Sequence, residues 1–316
     1  MSIAKYHQLY SEFLSQNAFV GEPNNLYEPM KYIMELGGKR IRPILCMVGT
    51  EACGGKVENA LPIAHAMEVF HNFGLVHDDI MDRADQRRGL PTVHKKWNEP
   101  TAILAGDNLL VKAYESILTY SGNGKDEILT LFSKTATEVC EGQQDDMDFA
   151  DRNEVSEAHY LNMIQKKTAV LLGCSLASGA IVAGANSIIV TKMYDFAIAI
   201  GMSFQMMDDY LDAFGSSESI GKVSGGDIME GKKTWLYIKS CELSSETTSW
   251  FSQYAAEERV SFVQNQWRAM GLDQMLLNVA NDYNDQGLTI LKDLEEMGVS
   301  VNGLREILEF LQVRTH

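Results

Sequence analysis

Several features that would place this 316-residue chain in other classes are scarce or missing. It has only 6 prolines and little alternation of Val, Ile and Thr with polar residues, which argues against a β-rich fold. Its five cysteines show no C-x-x-C spacing, so we expect reduced thiols in a cytoplasmic protein. No apolar run reaches ~18 residues without a polar interruption, and no signal peptide is recognisable, so we expect no stable membrane insertion.

Basic residues are also in deficit. The chain has 27 Lys and Arg against 43 Asp and Glu, a formal net charge of −16. Such a balance argues against general binding of nucleic acid. It leaves room for a small anionic ligand, because local basic groups decide that.

Apolar residues make up 45% of the chain and recur at helical spacing almost throughout. This pattern predicts an all-α protein with a sizeable core. Neither a change in composition nor a Pro- or Ser-rich linker divides the chain, so we expect a single domain over residues 1–316.

One long helix is predicted over residues 61–84, with Pro62 in its first turn. Asp78 and Asp82 lie four positions apart and therefore share a helix face, with Asp79 beside them. Like charges at this spacing destabilise a bare helix by a few tenths of a kcal/mol. A hard divalent cation would offset that repulsion, and Mg²⁺ typically takes one or two carboxylates together with water and phosphate oxygens.

A second apolar helix, about 130 positions later, ends in the same Asp-Asp-x-x-Asp pattern. Two such clusters are hard to obtain by chance. If the helices face each other, six carboxylates surround one cavity and suit a group of Mg²⁺ ions that clamp a diphosphate. The expected metal residues are Asp78, Asp79, Asp82, Asp208, Asp209 and Asp212.

Basic residues follow or precede these helices at several places. Lys39 and Arg42 come after a Gly pair that permits a tight turn, and Arg87 and Arg88 follow Asp82 by about one and a half helical turns. Guanidinium groups bind phosphate oxygens bidentately, although adjacent arginines can instead pair with the aspartates. Further cations stand at Lys167, before Thr168 and a small-residue run, and at Lys222 and Lys232 in and after a Gly/Ser-rich loop. We expect that loop to act as a lid and Lys167-Thr168 to mark a kink in a helix.

A third acidic cluster, residues 145–148, is a weaker candidate. Asp145 and Asp148 can share a face, but Asp146 then points elsewhere. We expect Gln143 and Asp146 to line the pocket and the other residues of the cluster to be solvated.

These motifs resemble, in order and spacing, those of the trans-isoprenyl diphosphate synthase (polyprenyl synthetase) family. They are G-G-K-x-x-R-P at 37–43, D-D-x-x-D-x4-R-R-G at 78–89, G-Q-x-x-D at 142–146, K-T at 167–168 and F-Q-x-x-D-D-x-x-D at 204–212. The resemblance implies an all-α isoprenoid-synthase helical bundle around a deep central cavity, assembled as a homodimer. It implies head-to-tail condensation of isopentenyl diphosphate with dimethylallyl, geranyl or farnesyl diphosphate, with three Mg²⁺ per active site.

The resemblance also implies roles for individual residues. Asp78 and Asp82 would bind two ions and Asp208 the third, with Asp79, Asp209 and Asp212 in support. The allylic diphosphate would be bound by Arg87, Lys167, Lys222 and Lys232. Isopentenyl diphosphate would be held by Lys39, Arg42, His71 and Arg88. Thr168 and Gln205 would line the reacting carbon, so the catalytic set comprises Lys167, Thr168, Gln205 and Arg87.

Product length is expected to depend on residues one or more turns before Asp78. Phe73 lies five positions earlier, about 7.5 Å along the helix axis, and Phe70 and Met67 lie on the next turns. A Phe at this depth resembles short-chain members, whereas Gly74 departs from animal-type farnesyl synthases, which carry a second aromatic there. We predict mainly geranylgeranyl diphosphate (C20), with farnesyl diphosphate (C15) second.

Three alternatives remain open. A class I terpene cyclase shares the first motif but usually has an Asn/Asp-Ser/Thr-Glu type of second motif, unlike residues 208–212. A non-catalytic partner subunit of a heteromeric prenyl synthase tends to lose aspartates, and none is missing from either motif here. A non-enzymatic helical scaffold would need neither cluster.

Overall fold

The chain is described by a computed structural model over residues 2–152, 154–215 and 225–312. Lys222 and most of the expected lid lie outside these residues. The described part is almost entirely helical, which confirms the all-α fold class. A two-residue antiparallel ladder, β1 (Gln86–Arg87) with β2 (Leu90–Pro91), is its only sheet.

The helices follow one another with short connections. Helices α1 to α5 span Ile3–Gln16, Asn24–Glu35, Ile41–Ala52, Leu61–Met81 and Val93–Lys96, with a 3₁₀ turn at Val57–Ala60. Helices α6 to α10 span Glu99–Thr119, Lys125–Asp151, Glu157–Ile164, Val170–Val182 and Ser187–Phe214, with a π-helical turn at Gln165–Ala169. Helices α11 to α16 span Gly226–Glu230, Trp235–Leu243, Thr247–Gln253, Ala256–Ala269, Leu272–Glu296 and Asn302–Gln312.

The described residues divide into two compact units. The first comprises those of Met1–Phe132, Cys174–Met193 and Met297–Glu306, and the second those of Ser133–Gly173, Tyr194–Glu296 and Ile307–His316. The first aspartate motif belongs to the first unit and the second motif to the second. The single domain and the shared cavity therefore stay predictions.

Close helix packing in the first unit depends on small residues. On α6, Ala102, Ala105 and Gly106 are fully buried. A Cβ atom on Gly106 would lie 2.3 Å from Nε2 of His77 on α4, so only glycine leaves room for that ring. On α9, a Cβ on Gly179 would lie 2.0 Å from the carbonyl oxygen of Cys46. The run of small residues at 173–180 thus permits close packing.

The second unit has an aromatic core beneath α10. Trp235 and Trp267 are almost fully buried, and they cluster with Met202 and Met206 of α10. This packing fixes one side of the helix that carries the second aspartate motif. Among the described residues, α10 is the one helix whose length and apolar composition would suffice to cross a membrane. Buried core helices meet the same two criteria.

Candidate active site

The first aspartate motif stands at the carboxyl end of α4. This helix ends at Met81, three residues earlier than predicted, and Asp82 is its C-cap. The Asp82 backbone N–H donates to the Asp78 carbonyl oxygen over 2.8 Å, so the two residues remain one helical turn apart. Both side chains supply oxygen ligands, which are those that Mg²⁺ prefers.

Asp79, the middle residue of the motif, is held by the protein itself. Its carboxylate is buried and accepts hydrogen bonds from Arg87 Nε over 3.0 and 2.9 Å and from Arg87 Nη2 over 2.8 Å. The alternative of an arginine–aspartate pair therefore applies to Arg87. Arg87 lies beyond the end of α4, in β1, where the chain reverses direction.

The Gly pair at 37–38 makes room for a side chain of the same unit. Gly37 and Gly38 have φ values of 81° and 119°, a region that glycine adopts without strain. A Cβ on Gly38 would lie 2.6 Å from Arg88 Nη2, and Arg88 Nη1 donates to the Gly37 carbonyl oxygen. Arg88 itself has a φ of 55°. The G-G-K turn and the R-R-G turn are thereby joined.

His71 lies near the positive charges of Arg42 and Arg88. In the part of the chain that the structure describes, Arg42 Nε is buried without a hydrogen-bond partner. Burial lowers the pKa of Arg42 to about 10. Burial, followed by the nearby charges of Arg42 and Arg88, lowers the pKa of His71 well below its ordinary value, so its imidazole is neutral. An unsatisfied guanidinium N–H is costly and fits an anionic ligand.

A buried ion pair that sequence reasoning missed supports the same turn. Arg40 adopts a φ of 50° at the N-cap of α3. Its Nη1 donates to Glu68 Oε1 of α4 over 2.6 Å, and its Nη2 donates to the Met34 carbonyl oxygen. Asn72 donates to the same Glu68 oxygen over 3.2 Å. A basic residue inside the G-G-K-x-x-R-P motif and a Glu in an apolar helix were the available signals.

In the second motif, as in the first, the middle aspartate is buried and hydrogen-bonded by protein groups. Asp208 is exposed, whereas Asp209 is buried. The Tyr160 hydroxyl donates to Asp209 Oδ2 over 2.5 Å, and Gln205 Nε2 donates to Asp209 Oδ1 over 3.1 Å. Burial raises the pKa of Asp209 to about 8, although the Tyr160 hydrogen bond opposes this.

The end of the second motif contacts the segment from Asp227 to Lys232. Asp212 Oδ2 accepts the backbone N–H of Asp227 over 3.0 Å. Burial and the charge of Asp212 raise the pKa of Asp227 to about 6. Lys232 Nζ lies 3.4 Å from Asp227 Oδ1, and the carboxylates of Asp227 and Glu230 raise the pKa of this lysine although burial opposes the shift. Sequence reasoning missed Asp227, whose signal was its place five residues before Lys232.

The predicted kink at Lys167-Thr168 is confirmed as a π-helical turn. Lys167 Nζ donates to Asp146 Oδ2 of α7 over 2.6 Å. A Cβ on Gly142 would lie 2.5 Å from the Lys167 backbone N, so the glycine of G-Q-x-x-D lets the turn approach α7. Thr168 Oγ1 lies 3.5 Å from Gln205 Oε1.

The residues expected to set product length form a buried stack along α4. Met67, Phe70 and Phe73 are buried. The ring centroids of Phe70 and Phe73 are 5.3 Å apart, and Phe70 also meets Phe132 of α7 at 5.2 Å. No heavy atom lies within 4 Å of a Cβ built on Gly74, so this side of the stack is open.

Within the described ranges, no group of three or more His, Cys, Asp or Glu residues could hold a metal ion without further ligands. Whether the aspartates suit Mg²⁺ therefore depends on the oxygen atoms that each of them has available. Mg²⁺ typically binds through one or two carboxylates and completes its octahedron with water and substrate phosphates. Asp78 with Asp82, and Asp208 in the second unit, meet that requirement. Asp79 and Asp209 do not, because protein donors occupy their oxygens.

Helical architecture, two Asp-Asp-x-x-Asp motifs and arginines near the first of them define an all-α protein of the isoprenoid-synthase type. A profile described as Polyprenyl synthetase matches residues 23–266. The chain is 41% identical over 283 residues to a geranylgeranyl diphosphate synthase from Methanosarcina mazei, covering 88% of this chain and 87% of the relative. It is 44% identical over 229 residues to a short chain isoprenyl diphosphate synthase from Methanocaldococcus jannaschii, covering 72% and 70%.

A solved crystal structure of a geranylgeranyl pyrophosphate synthase, 40% identical, superposes with a TM-score of 0.93 and covers 99% of this chain and 98% of that one. The chain belongs to the polyprenyl synthetase family. The resemblance drawn from the motifs is thereby confirmed.

Proposed function

We propose that this protein is a Mg²⁺-dependent short-chain trans-prenyltransferase. It condenses isopentenyl diphosphate head to tail with allylic diphosphates (dimethylallyl, geranyl and farnesyl) and makes mainly geranylgeranyl diphosphate, with farnesyl diphosphate second. The names of the similar relatives support the C20 product. The observation that carries the proposal is the repeated motif design, in which protein donors hold the middle aspartate at the end of an apolar helix.

The chemistry begins with cleavage of the allylic C1–O bond, whose electron pair leaves with diphosphate. Asp78 and Asp82 would hold two Mg²⁺ ions and Asp208 a third, and when bound these ions would neutralise the charge of the leaving group. Arg87, Lys222 and Lys232 add positive charge to the same diphosphate. Lys167 also binds this diphosphate, either after its ammonium group leaves Asp146 or while it contacts Asp146 and the diphosphate together.

Isopentenyl diphosphate is held by Lys39, Arg42, His71 and Arg88. Neutral His71 donates one N–H, and buried Arg42 Nε gains the acceptor that the described residues do not provide. The double bond attacks the allylic cation, and one C–C bond forms. The released diphosphate takes the proton lost in the last step, because Asp79 and Asp209 are engaged by protein donors.

Thr168 and Gln205 line the reacting carbon in this proposal. Their side chains lie 3.5 Å apart across the π-helical turn and α10. The buried apolar face of α4, with Phe70 and Phe73, excludes water that would quench the cation.

One assay tests the proposal. The purified protein is incubated with Mg²⁺, isopentenyl diphosphate and each allylic diphosphate in turn, and products are separated by chromatography. Diphosphate release with C20 chains is expected. Hydrocarbon products would identify a terpene cyclase instead, and no reaction with any allylic substrate would identify a non-catalytic partner subunit.

We also propose a homodimer formed through α6. Three large apolar side chains of this helix are exposed at seven-residue spacing: Leu104 (60%), Val111 (52%) and Leu118 (57%). Residues seven apart share one helix face, so these side chains form an apolar stripe that the exposed Asp107 and Glu115 interrupt. A second copy of the same helix would cover this stripe with matching apolar surface.

A further inference from the structure

Tyr160 has no role in the motifs, yet it contacts the second aspartate motif directly. It lies on α8, five residues before the π-helical turn, and its side chain is only 4% exposed. Its hydroxyl donates to Asp209 Oδ2 over 2.5 Å. A phenol hydroxyl buried in an apolar cluster needs such a partner, and a buried carboxylate needs such a donor.

The contact is part of a four-residue clasp between two segments. Tyr160 and Thr168 come from α8 and the π-helical turn, and Gln205 and Asp209 come from successive turns of α10. Gln205 Nε2 donates to Asp209 Oδ1 over 3.1 Å, while its Oε1 lies 3.5 Å from Thr168 Oγ1. Both Asp209 oxygens and both Gln205 amide groups are thereby directed within the clasp.

The clasp restricts the turn of α10 from which Asp208 projects. Asp208 precedes Asp209, so rotation of α10 about its axis would move both side chains together. The hydrogen bonds to Asp209 oppose that rotation. The first motif has the same design with a charged donor, since Arg87 holds Asp79 beside Asp78.

We infer that Tyr160 is a positioning residue for the second aspartate motif. Through Asp209 it fixes the orientation of Asp208 toward metal-bound diphosphate and keeps the Lys167-Thr168 turn in register with α10. The inference rests on the proposed function, because it takes Asp208 to be a metal ligand.

The test compares Tyr160→Phe with Tyr10→Phe. Tyr10 is a matched control, because it is also fully buried and makes one side-chain hydrogen bond, to His65 Nδ1 over 3.2 Å in the first unit. Prenyl transfer is measured against Mg²⁺ and against each substrate, together with thermal unfolding. Tyr160→Phe is expected to raise half-saturating Mg²⁺ about tenfold, as loss of a residue behind a metal ligand typically does, with KM for isopentenyl diphosphate unchanged.

Tyr10→Phe is expected to lower thermal stability only. Equal Mg²⁺ dependence in the two variants would overturn the inference. So would a rise in Mg²⁺ requirement no larger than the accompanying change in KM for isopentenyl diphosphate.

A double-mutant cycle guards against poor folding of Tyr160→Phe. In an Asp209→Asn background the carboxyl group that accepts the Tyr160 hydroxyl is gone, and Tyr160→Phe should add no further rise in half-saturating Mg²⁺. An additive rise would show that Tyr160 does not act through Asp209 and would overturn the inference. Asp208→Asn distinguishes failure of this inference from failure of the proposed function. Full turnover of Asp208→Asn would contradict the proposed function. Lost turnover of Asp208→Asn, together with a wild-type Mg²⁺ requirement in Tyr160→Phe, would contradict only the role of Tyr160.

Discussion

The three aspartates of each motif differ in their surroundings. The middle one is buried and receives protein donors, from Arg87 in the first motif and from Tyr160 and Gln205 in the second. Adjacent carboxylates on one helix repel each other, and anchoring the middle one limits that repulsion. The aspartates of one motif thus have different roles, and only their contacts in the structure distinguish those roles.

Asp78→Ala should therefore lower turnover at least a hundredfold. The variant removes an oxygen ligand at the site of developing negative charge, which is worth ~3 kcal/mol in the transition state. Asp148→Ala, in the solvated acidic cluster, serves as the control and should keep normal turnover. Steady-state rates at saturating Mg²⁺ make the comparison, and near-normal turnover of Asp78→Ala would sink the metal assignment.

Substitutions at Phe73 and Gly74 should change product length in opposite directions. Phe73→Ala removes a ring from the stack with Phe70 and should add at least one isoprene unit to the main product. Gly74→Leu adds bulk where a Cβ meets open space and should shorten it. Chromatography of the products from farnesyl diphosphate checks both. An unchanged distribution of product lengths in the two variants would show that other residues limit chain length.

His65 should make stability depend on pH. Burial, followed by the charge of Arg40, lowers its pKa from 6.5 to about 4. Between those values the unfolded chain binds more protons than the folded one, so stability falls as pH drops from 6.5 toward 4. By pH 5 the loss is about 2 kcal/mol.

Urea unfolding of the wild type and of His65→Gln at pH 7.5 and pH 5 measures that loss. The variant keeps a side-chain partner for the Tyr10 hydroxyl but cannot titrate. Its stability should therefore change with pH by about 2 kcal/mol less than that of the wild type. The same pH response in both proteins would contradict the assignment.

At the scale of elements, the position of the π-helical turn depends on Gly142, because the turn packs directly against this glycine on α7. Gly142→Ala would place a methyl group 2.5 Å from the Lys167 backbone N, which cannot yield as a flexible side chain would. The turn must shift, and small misplacements of catalytic groups cost up to about a hundredfold in rate. We expect kcat to fall by at least tenfold.

Gly287→Ala is the matched control for Gly142→Ala. Gly287 is also a helical glycine, but its added Cβ would meet side chains rather than backbone, with Ile200 nearest at 3.2 Å and Ala199 and Phe196 at 3.9 Å. Normal kcat is expected for this variant. Equal loss in both would show that the effect comes from stability alone.

Apolar periodicity predicted the helices well where packing is regular. Apolar spacing predicts a helix over Trp235–Leu243, which matches α12 in its bounds, and one over Leu272–Met297, which α15 matches except for its last residue. The same spacing predicts one helix over residues 160–183, because it runs on unchanged through the π-helical turn that divides α8 from α9. It also predicts one helix over residues 248–266, where the structure has α13 and α14.

Side-chain partners could not be predicted in the same way. Arg40 and Glu68 are 28 positions apart, and Tyr160 and Asp209 are 49 apart. Periodicity assigns a residue to a face but does not say which distant side chain meets it. The left-handed turns at Arg40, Arg83 and Arg88 were also unpredictable, since non-glycine residues rarely adopt positive φ.

At the scale of the whole molecule, the net charge and the exposed apolar stripe on α6 together determine which surface can join two copies. A net charge of −16 makes copies repel unless a specific surface brings them together. The α6 stripe can do so because its apolar residues repeat every seven positions. Burial of such residues is worth roughly 25 cal/mol per Å² of surface removed from water.

The double variant Leu104→Lys/Leu118→Lys should therefore be monomeric where the wild type is dimeric. Each lysine places a charge in the proposed interface without a partner, and each contact occurs twice in a symmetric dimer. Light scattering coupled to size-exclusion chromatography at micromolar concentration measures the mass, against 35.2 kDa for one chain. Ile188→Lys is the control, since Ile188 is 61% exposed but lies on α10. It should leave the mass unchanged, and a dimeric double variant would show that another surface joins the copies.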